Sequence, residues 1–129
     1  MDWITEKIAV GSCIDAIEHE KDVHAILCLK PECCDEGNTS VDVLCIPLID
    51  GPGNREEDVV AAMQFIHDVV CSDEKVLVHC HAGRSRSICI VAAYLMKFEY
   101  YTQAQALSHI QRKREIYLSR GIEEIFDQV

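Results

Sequence analysis

Residues 76–98 read VLVHCHAGRSRSICIVAAYLMKF, and the change of pattern inside them decides the fold. VLVH is a short Val/Leu run of the kind found in strands buried on both faces. Residues 87–98 are almost wholly apolar and too long for an ordinary strand, which predicts a helix packed on several sides. A strand feeding a helix through a short Gly-containing loop is the repeating unit of a parallel sheet. Further Val-, Ile- and Leu-bearing runs lie upstream, at residues 8–10, in HAILCLK (24–30) and in VLCIPLI (43–49). The last two read, like VLVH, as strands buried on both faces.

Helical signals alternate with these runs. A short first helix is expected over 12–20. Val59, Met63, Ile66 and Val70 recur at helical spacing within 58–71, and Glu56, Glu57 and Asp58 stand where the positive end of the helix dipole favours acids. Thr102 and Gln105 form a capping-box signature that opens a helix through about Glu115, with Ala106, Leu107 and Ile110 turned inward. A final helix is expected over 121–128. Gly and Pro concentrate in DGPGN (50–54), directly after a strand, which predicts a turn or mobile loop. The fold class is therefore α/β: one domain over 1–129, three layers α/β/α, with a central, mostly parallel sheet of four or five strands.

Composition narrows the function. The chain has 129 residues, 49% apolar, with 12 Lys and Arg against 22 Asp and Glu, a formal charge of −10. Such a charge repels a duplex backbone and an anionic bilayer, so nucleic acid is not an expected partner. The longest apolar run, 88–96, is about half of the ~20 residues that span a membrane, and the opening MDWITEK has no leader pattern. Stable membrane insertion is not expected, and a cytoplasmic location is. The eight cysteines read as reduced thiols. Cys28, Cys45 and Cys89 read as small buried hydrophobes, and Cys33 and Cys34 as an exposed pair on a loop. With no C-x2-C pair and scattered histidines, no metal site is expected, and no cofactor.

The segment between the strand and the central helix, Cys80-His81-Ala82-Gly83-Arg84-Ser85-Arg86, has the parts of a phosphate cradle. Backbone N–H groups of a tight loop converge on oxygen acceptors, the helix N-terminus adds positive potential, and a guanidinium can grip two oxygens at once. Gly83 allows the loop to turn. The same field favours thiolate over thiol, which poises Cys80 as a nucleophile.

HCHAGRSRS (79–87) matches HC-x5-R-[ST], and the chain here resembles the cysteine-dependent tyrosine phosphatases, in their dual-specificity branch. IAVGS near the start, IPLID before the nucleophile, VAAYLM after the loop and IEEIF in the last helix extend the likeness over nearly the whole chain. The resemblance implies hydrolysis of phosphomonoesters through a cysteinyl-phosphate on Cys80, with Arg86 clamping the phosphoryl oxygens. It implies that Ser87 eases departure of the Cys80 sulfur and that His79 orients the thiolate. It selects Asp50 as general acid, with Asp58 in reserve, although DGPGN departs from the usual surroundings of that aspartate. In several relatives a second cysteine protects the nucleophile as a disulfide. A rhodanese-type sulfur-transfer loop is shorter, and the small tyrosine phosphatases carry their loop near the N-terminus.

His81, Ala82, Gly83, Arg84 and Ser85 are the residues expected to surround the phosphate. The basic pair His81 and Arg84 stands where phosphoinositide phosphatases carry lysines, and the loop string is also similar to that of a phosphatase acting on phosphatidylglycerophosphate. Two substrate classes follow: a phosphorylated protein or peptide, favoured by the net charge, or a phospholipid or inositol phosphate headgroup. Arg112-Lys113-Arg114, the one basic run, reads as a solvated face near a helix C-terminus.

Overall fold

The computed structural model describes residues 1–32 and 41–129. Five strands form one sheet: β1 (Asp2–Trp3), β2 (Ile8–Gly11), β3 (Ala25–Cys28), β4 (Asp42–Cys45) and β5 (Val76–His79), in the order β1-β2-β5-β3-β4. Only the β1–β2 pair is antiparallel. The VLVH run is thus the central strand, with Val78 registered against Val10 on one side and Leu27 on the other.

The pleat divides the core in two. Ile8, Val10, Ala25, Leu27, Val76 and Val78 face the large helical layer, where α2 (Glu56–Cys71), α3 (Arg86–Phe98), α4 (Gln103–Gln111) and a 3-10 segment (Ile122–Gln128) pack. Ala9, Ile26 and Leu77 face the other way, onto Ala16 of the short helix α1 (Cys13–Glu18) and Val23. Helix α3 is buried continuously from Ser87 to Leu95, as its composition predicts. Helices α1 and α4 both begin with full capping boxes, Ser12 with Asp15 and Thr102 with Gln105, which satisfy backbone donors that a helix start leaves open.

Several expectations are corrected. VLCIPLI is not buried on both faces: β4 is an edge strand, with Asp42 and Cys45 exposed, so Cys45 is no core hydrophobe. Beyond Cys45 the chain still reaches the sheet through Ile46 N–H to the Cys28 carbonyl (2.9 Å) and Leu48 N–H to that of Leu29 (3.0 Å). Pro47 stands between them without a donor. The first helix stops at Glu18, and a 3-10 turn (Glu20–Asp22) follows. Helix α4 ends at Gln111, not Glu115, because the chain turns there and sends Arg114 back toward the central loop. The last segment is 3-10 rather than α, entered through Gly121 at φ 91, where a Cβ would meet Pro52. Strand β1 is too short to leave a periodic signal. Cys33 and Cys34 lie outside the described residues.

Candidate active site

At the carboxyl end of β5 the chain leaves the sheet at His79 and enters α3 at Arg86, and the loop between them forms the floor of a cavity of ≈ 330 Å³. Cys80, Arg86, Arg84 and His81 line it from the loop, Asp50 from the segment after β4, and Tyr117 and Ser119 from the segment after α4. The parallel order puts these contributions together: β5 lies between β2 and β3, so the loops that follow the strands gather at one end of the sheet.

Cys80 is 2% exposed. Burial alone pushes its thiol up, but the Ser87 hydroxyl, 3.3 Å from the sulfur, and the backbone N–H groups of Ser87, Gly83 and Ser85 outweigh burial and hold it below its ordinary value. Cys89, in the first turn of α3, is pushed the other way, up to about 12, by burial first and by nearby negative charge after it. The loop cysteine and the helix cysteine are thereby driven in opposite directions, one toward thiolate and one held as a thiol. His79 is fully buried, and its Nδ1 lies 3.3 Å from the Cys80 carbonyl oxygen. Gly83 has φ 71, and a Cβ there would run into the Gly11 carbonyl.

The Arg86 guanidinium reaches back under the loop. Its Nη1 lies 3.4 Å from the carbonyl oxygens of both Leu29 and Leu48, while the buried Nε has no hydrogen-bond partner among the described residues. A buried N–H without an acceptor costs roughly 1–3 kcal/mol, so this donor is set for an acceptor entering the cavity. His81 and Arg84 are exposed at the rim.

Asp50 faces the cavity from the opposite wall. The Ser85 hydroxyl donates to its Oδ1 at 2.6 Å and the Ser119 hydroxyl to its Oδ2 at 2.7 Å. Its loop is braced rather than loose. Asn54 accepts from Ile49 N–H at 2.7 Å and donates to the carbonyls of Ile49 (2.9 Å) and Gly51 (3.2 Å), and Gly53 N–H reaches Glu124. Asp58 lies in the first turn of α2, with the Arg55 Nε 3.4 Å away, and does not line the cavity. The structure therefore brings Asp50, and not Asp58, to Cys80 and Arg86.

Four contributors were not foreseen: Ser119, Tyr117, Asn54 and Arg114. Arg114 belongs to the basic run expected on a solvated face. Arg112 and Lys113 are exposed, but Arg114 is half-buried behind the loop. Its Nε donates to the Gly83 carbonyl at 2.7 Å, its Nη2 to that of Ala82 at 3.1 Å and its Nη1 to Asp2 at 2.8 Å. By holding those carbonyls outward it keeps the loop N–H groups turned into the cavity.

Against known families, residues 8–123 match the model described as dual specificity phosphatase, catalytic domain. The chain belongs to that family. It is 48% identical over 54 residues to dual specificity protein phosphatase 1 of Arabidopsis thaliana, a match covering 42% of this chain and 27% of the relative. To dual specificity protein phosphatase 12 of Rattus norvegicus it is 35% identical over 92 residues, covering 67% of this chain and 26% of the relative. The matches span only about a quarter of these relatives. The crystal structure of human DUSP28 superposes with a TM-score of 0.88 at 19% identity, covering 99% and 94% of the two chains. That of PTPMT1 in complex with PI(5)P gives 0.80 at 21%, covering 97% and 91%. At these identities the two structures establish the likeness of fold.

Proposed function

We propose that this dual-specificity phosphatase domain hydrolyses phosphomonoesters through a cysteinyl-phosphate on Cys80, with phosphotyrosine in proteins or peptides as principal substrate and phosphoserine and phosphothreonine as further ones. The observation that carries the reading is the Cys80 thiol, held below its ordinary value at the floor of a cavity that Arg86 and Asp50 share.

The substrate phosphoryl group sits in the loop, its oxygens taking N–H donors from the backbone and from Arg86. The Cys80 thiolate attacks phosphorus in line with the ester oxygen. The S–P bond forms, the P–O bond breaks, and the departing oxygen takes its proton from Asp50. Water then enters, Asp50 takes a proton from it, and the hydroxide oxygen attacks phosphorus. The S–P bond breaks, its electron pair returns to Cys80 sulfur under the Ser87 hydroxyl, and inorganic phosphate leaves. Positioning and electrostatic stabilisation supply most of the barrier reduction.

A second reading, a phospholipid or inositol phosphate headgroup, is supported by the exposed basic side chains of His81 and Arg84 and by the fold shared with a phosphatase solved in complex with PI(5)P. The chain's charge of −10 favours the peptide reading. No helix among the described residues is long and apolar enough to cross a membrane.

The direct test is Cys80→Ser. Hydrolysis of an aryl phosphate is expected to disappear while the far-UV spectrum is kept, and the variant should retain phosphotyrosine peptides on a pull-down. Turnover equal to wild type removes covalent cysteine chemistry.

A further inference from the structure

The acid loop and the phosphate loop are joined by a third segment through a connected set of hydrogen bonds. Ser119 N–H donates to the Ser85 hydroxyl oxygen at 2.9 Å, so the Ser85 proton is free to point at Asp50 Oδ1, which it does at 2.6 Å. The Ser119 hydroxyl donates to the other carboxylate oxygen at 2.7 Å. Two residues earlier, Tyr117 N–H donates to the Arg84 carbonyl at 2.9 Å, which docks the same segment on the phosphate loop. Asp50 therefore does not hang from its own loop alone. Both of its oxygens are oriented by hydroxyls, and one of these comes from the segment after α4, which also orients the other through Ser119 N–H to Ser85.

We propose that Ser119 is a positioning residue for the general acid, fixing the Asp50 carboxyl in the plane from which it faces the leaving oxygen. The inference rests on Asp50 serving as the acid. A carboxyl held by one hydroxyl can still swing about the Cβ–Cγ bond, and a second hydroxyl on the opposite oxygen removes that freedom. A hydroxyl suits the task because it can donate to the carboxylate and accept from the carboxylic acid, so the contact survives both protonation states of the catalytic cycle. Misplacing a reacting group by about an ångström can cost roughly a hundredfold in rate, so the second tether acts on chemistry and not only on folding.

The contact matters only where the leaving oxygen needs a proton, and that separates positioning from structure. The readout is the ratio of kcat on phenyl phosphate, a poor leaving group, to kcat on dinitrophenyl phosphate, which leaves unprotonated. Ser119→Ala is expected to lower that ratio about tenfold, on the scale of one lost hydrogen bond to a charged group. Ser119→Thr keeps the hydroxyl and is expected to hold the ratio near wild type, whereas Ser119→Val, its isostere without one, is expected to behave like Ser119→Ala. In an Asp50→Asn background, Ser119→Ala is expected to change the ratio no further. Equal losses on both esters, or a Val variant matching the Thr variant, overturn the proposal. An Asp50→Asn enzyme with the wild-type ratio overturns the acid assignment beneath it. A normal Asp50→Asn loss beside an unchanged Ser119→Ala ratio overturns the positioning role alone.

Discussion

Arg114, which does not line the cavity, donates to the Gly83 carbonyl at 2.7 Å in the loop that forms the cavity floor. The pair links the turn after α4 to the one glycine of the loop, and Asp2 on the edge strand β1 anchors the guanidinium at 2.8 Å. The loop's inward N–H groups and its outward carbonyls are two sides of the same peptide planes, so fixing one side fixes the other.

Arg114→Lys is therefore expected to lower kcat/KM on a minimal aryl phosphate by roughly tenfold to a hundredfold, about 1.5–3 kcal/mol, because an ammonium cannot span the carbonyls of Ala82 and Gly83 and the Asp2 carboxylate together. Inhibition by inorganic phosphate should weaken in parallel, since the loss falls on the cradle itself. Wild-type phosphate affinity in Arg114→Lys would mean that the loop holds its shape unaided.

The second expectation follows from the direction in which Cys80 is shifted. Its donors stabilise the thiolate, so alkylation by iodoacetamide should titrate with a midpoint below the ordinary thiol value. Ser87→Ala removes the hydroxyl donor at 3.3 Å, and the midpoint should move up, with the acid limb of the rate profile moving the same way. Cys89 should stay unmodified through the neutral range, where a group pushed up to about 12 remains a thiol. An unmoved midpoint in Ser87→Ala would assign the thiolate's stabilisation to the backbone donors alone.

What could be read in the sequence and what could not divides along chain distance. The strand VLVH, the turn at Gly83 and the apolar helix are contiguous, so local patterns suffice for the loop. Asp50 could be selected through the resemblance, because it follows the IPLI segment by one residue. Ser119 and Arg114 act by tertiary return: Asp50 lies 69 positions from the one and Gly83 31 from the other, and a serine or an arginine in a polar stretch looks the same whether it meets solvent or a partner far along the chain. Cys45 and its neighbours look like a central strand because composition reports apolarity and not sheet order, and β4 lies at the edge. DGPGN looks mobile because Gly and Pro mark turns, while the Asn54 side chain that braces it has no signature of its own.

Asp58→Asn separates the two candidate acids from the structural side. Asp58 lies in the first turn of α2 beside Arg55, so its removal should cost about 0.3–1 kcal/mol of stability through the helix dipole. The leaving-group dependence of kcat should be unchanged. A thermal melt and the phenyl to dinitrophenyl phosphate ratio check both, and a lowered ratio would return Asp58 to candidacy.

The two substrate readings part at Arg84, which is exposed at the cavity rim with its carbonyl held by Tyr117 N–H at 2.9 Å. That bond fixes the backbone and leaves the guanidinium to meet whatever flanks the scissile phosphate. If the substrate carries a second anion there, Arg84→Ala should weaken transition-state binding by roughly 1.5–3 kcal/mol for that substrate, the scale of a charge-assisted hydrogen bond. A minimal aryl phosphate offers the side chain nothing and should lose far less. A phosphotyrosine peptide should show a small loss that fades as salt is raised, the mark of steering by an exposed charge. The measurement is kcat/KM for both enzymes on an aryl phosphate, a phosphotyrosine peptide and a soluble inositol polyphosphate. Equal losses on the first and third support the peptide as substrate. A selective loss on the third, joined to high wild-type turnover there, makes the multi-anionic headgroup the substrate, and Arg84 the residue that reads it.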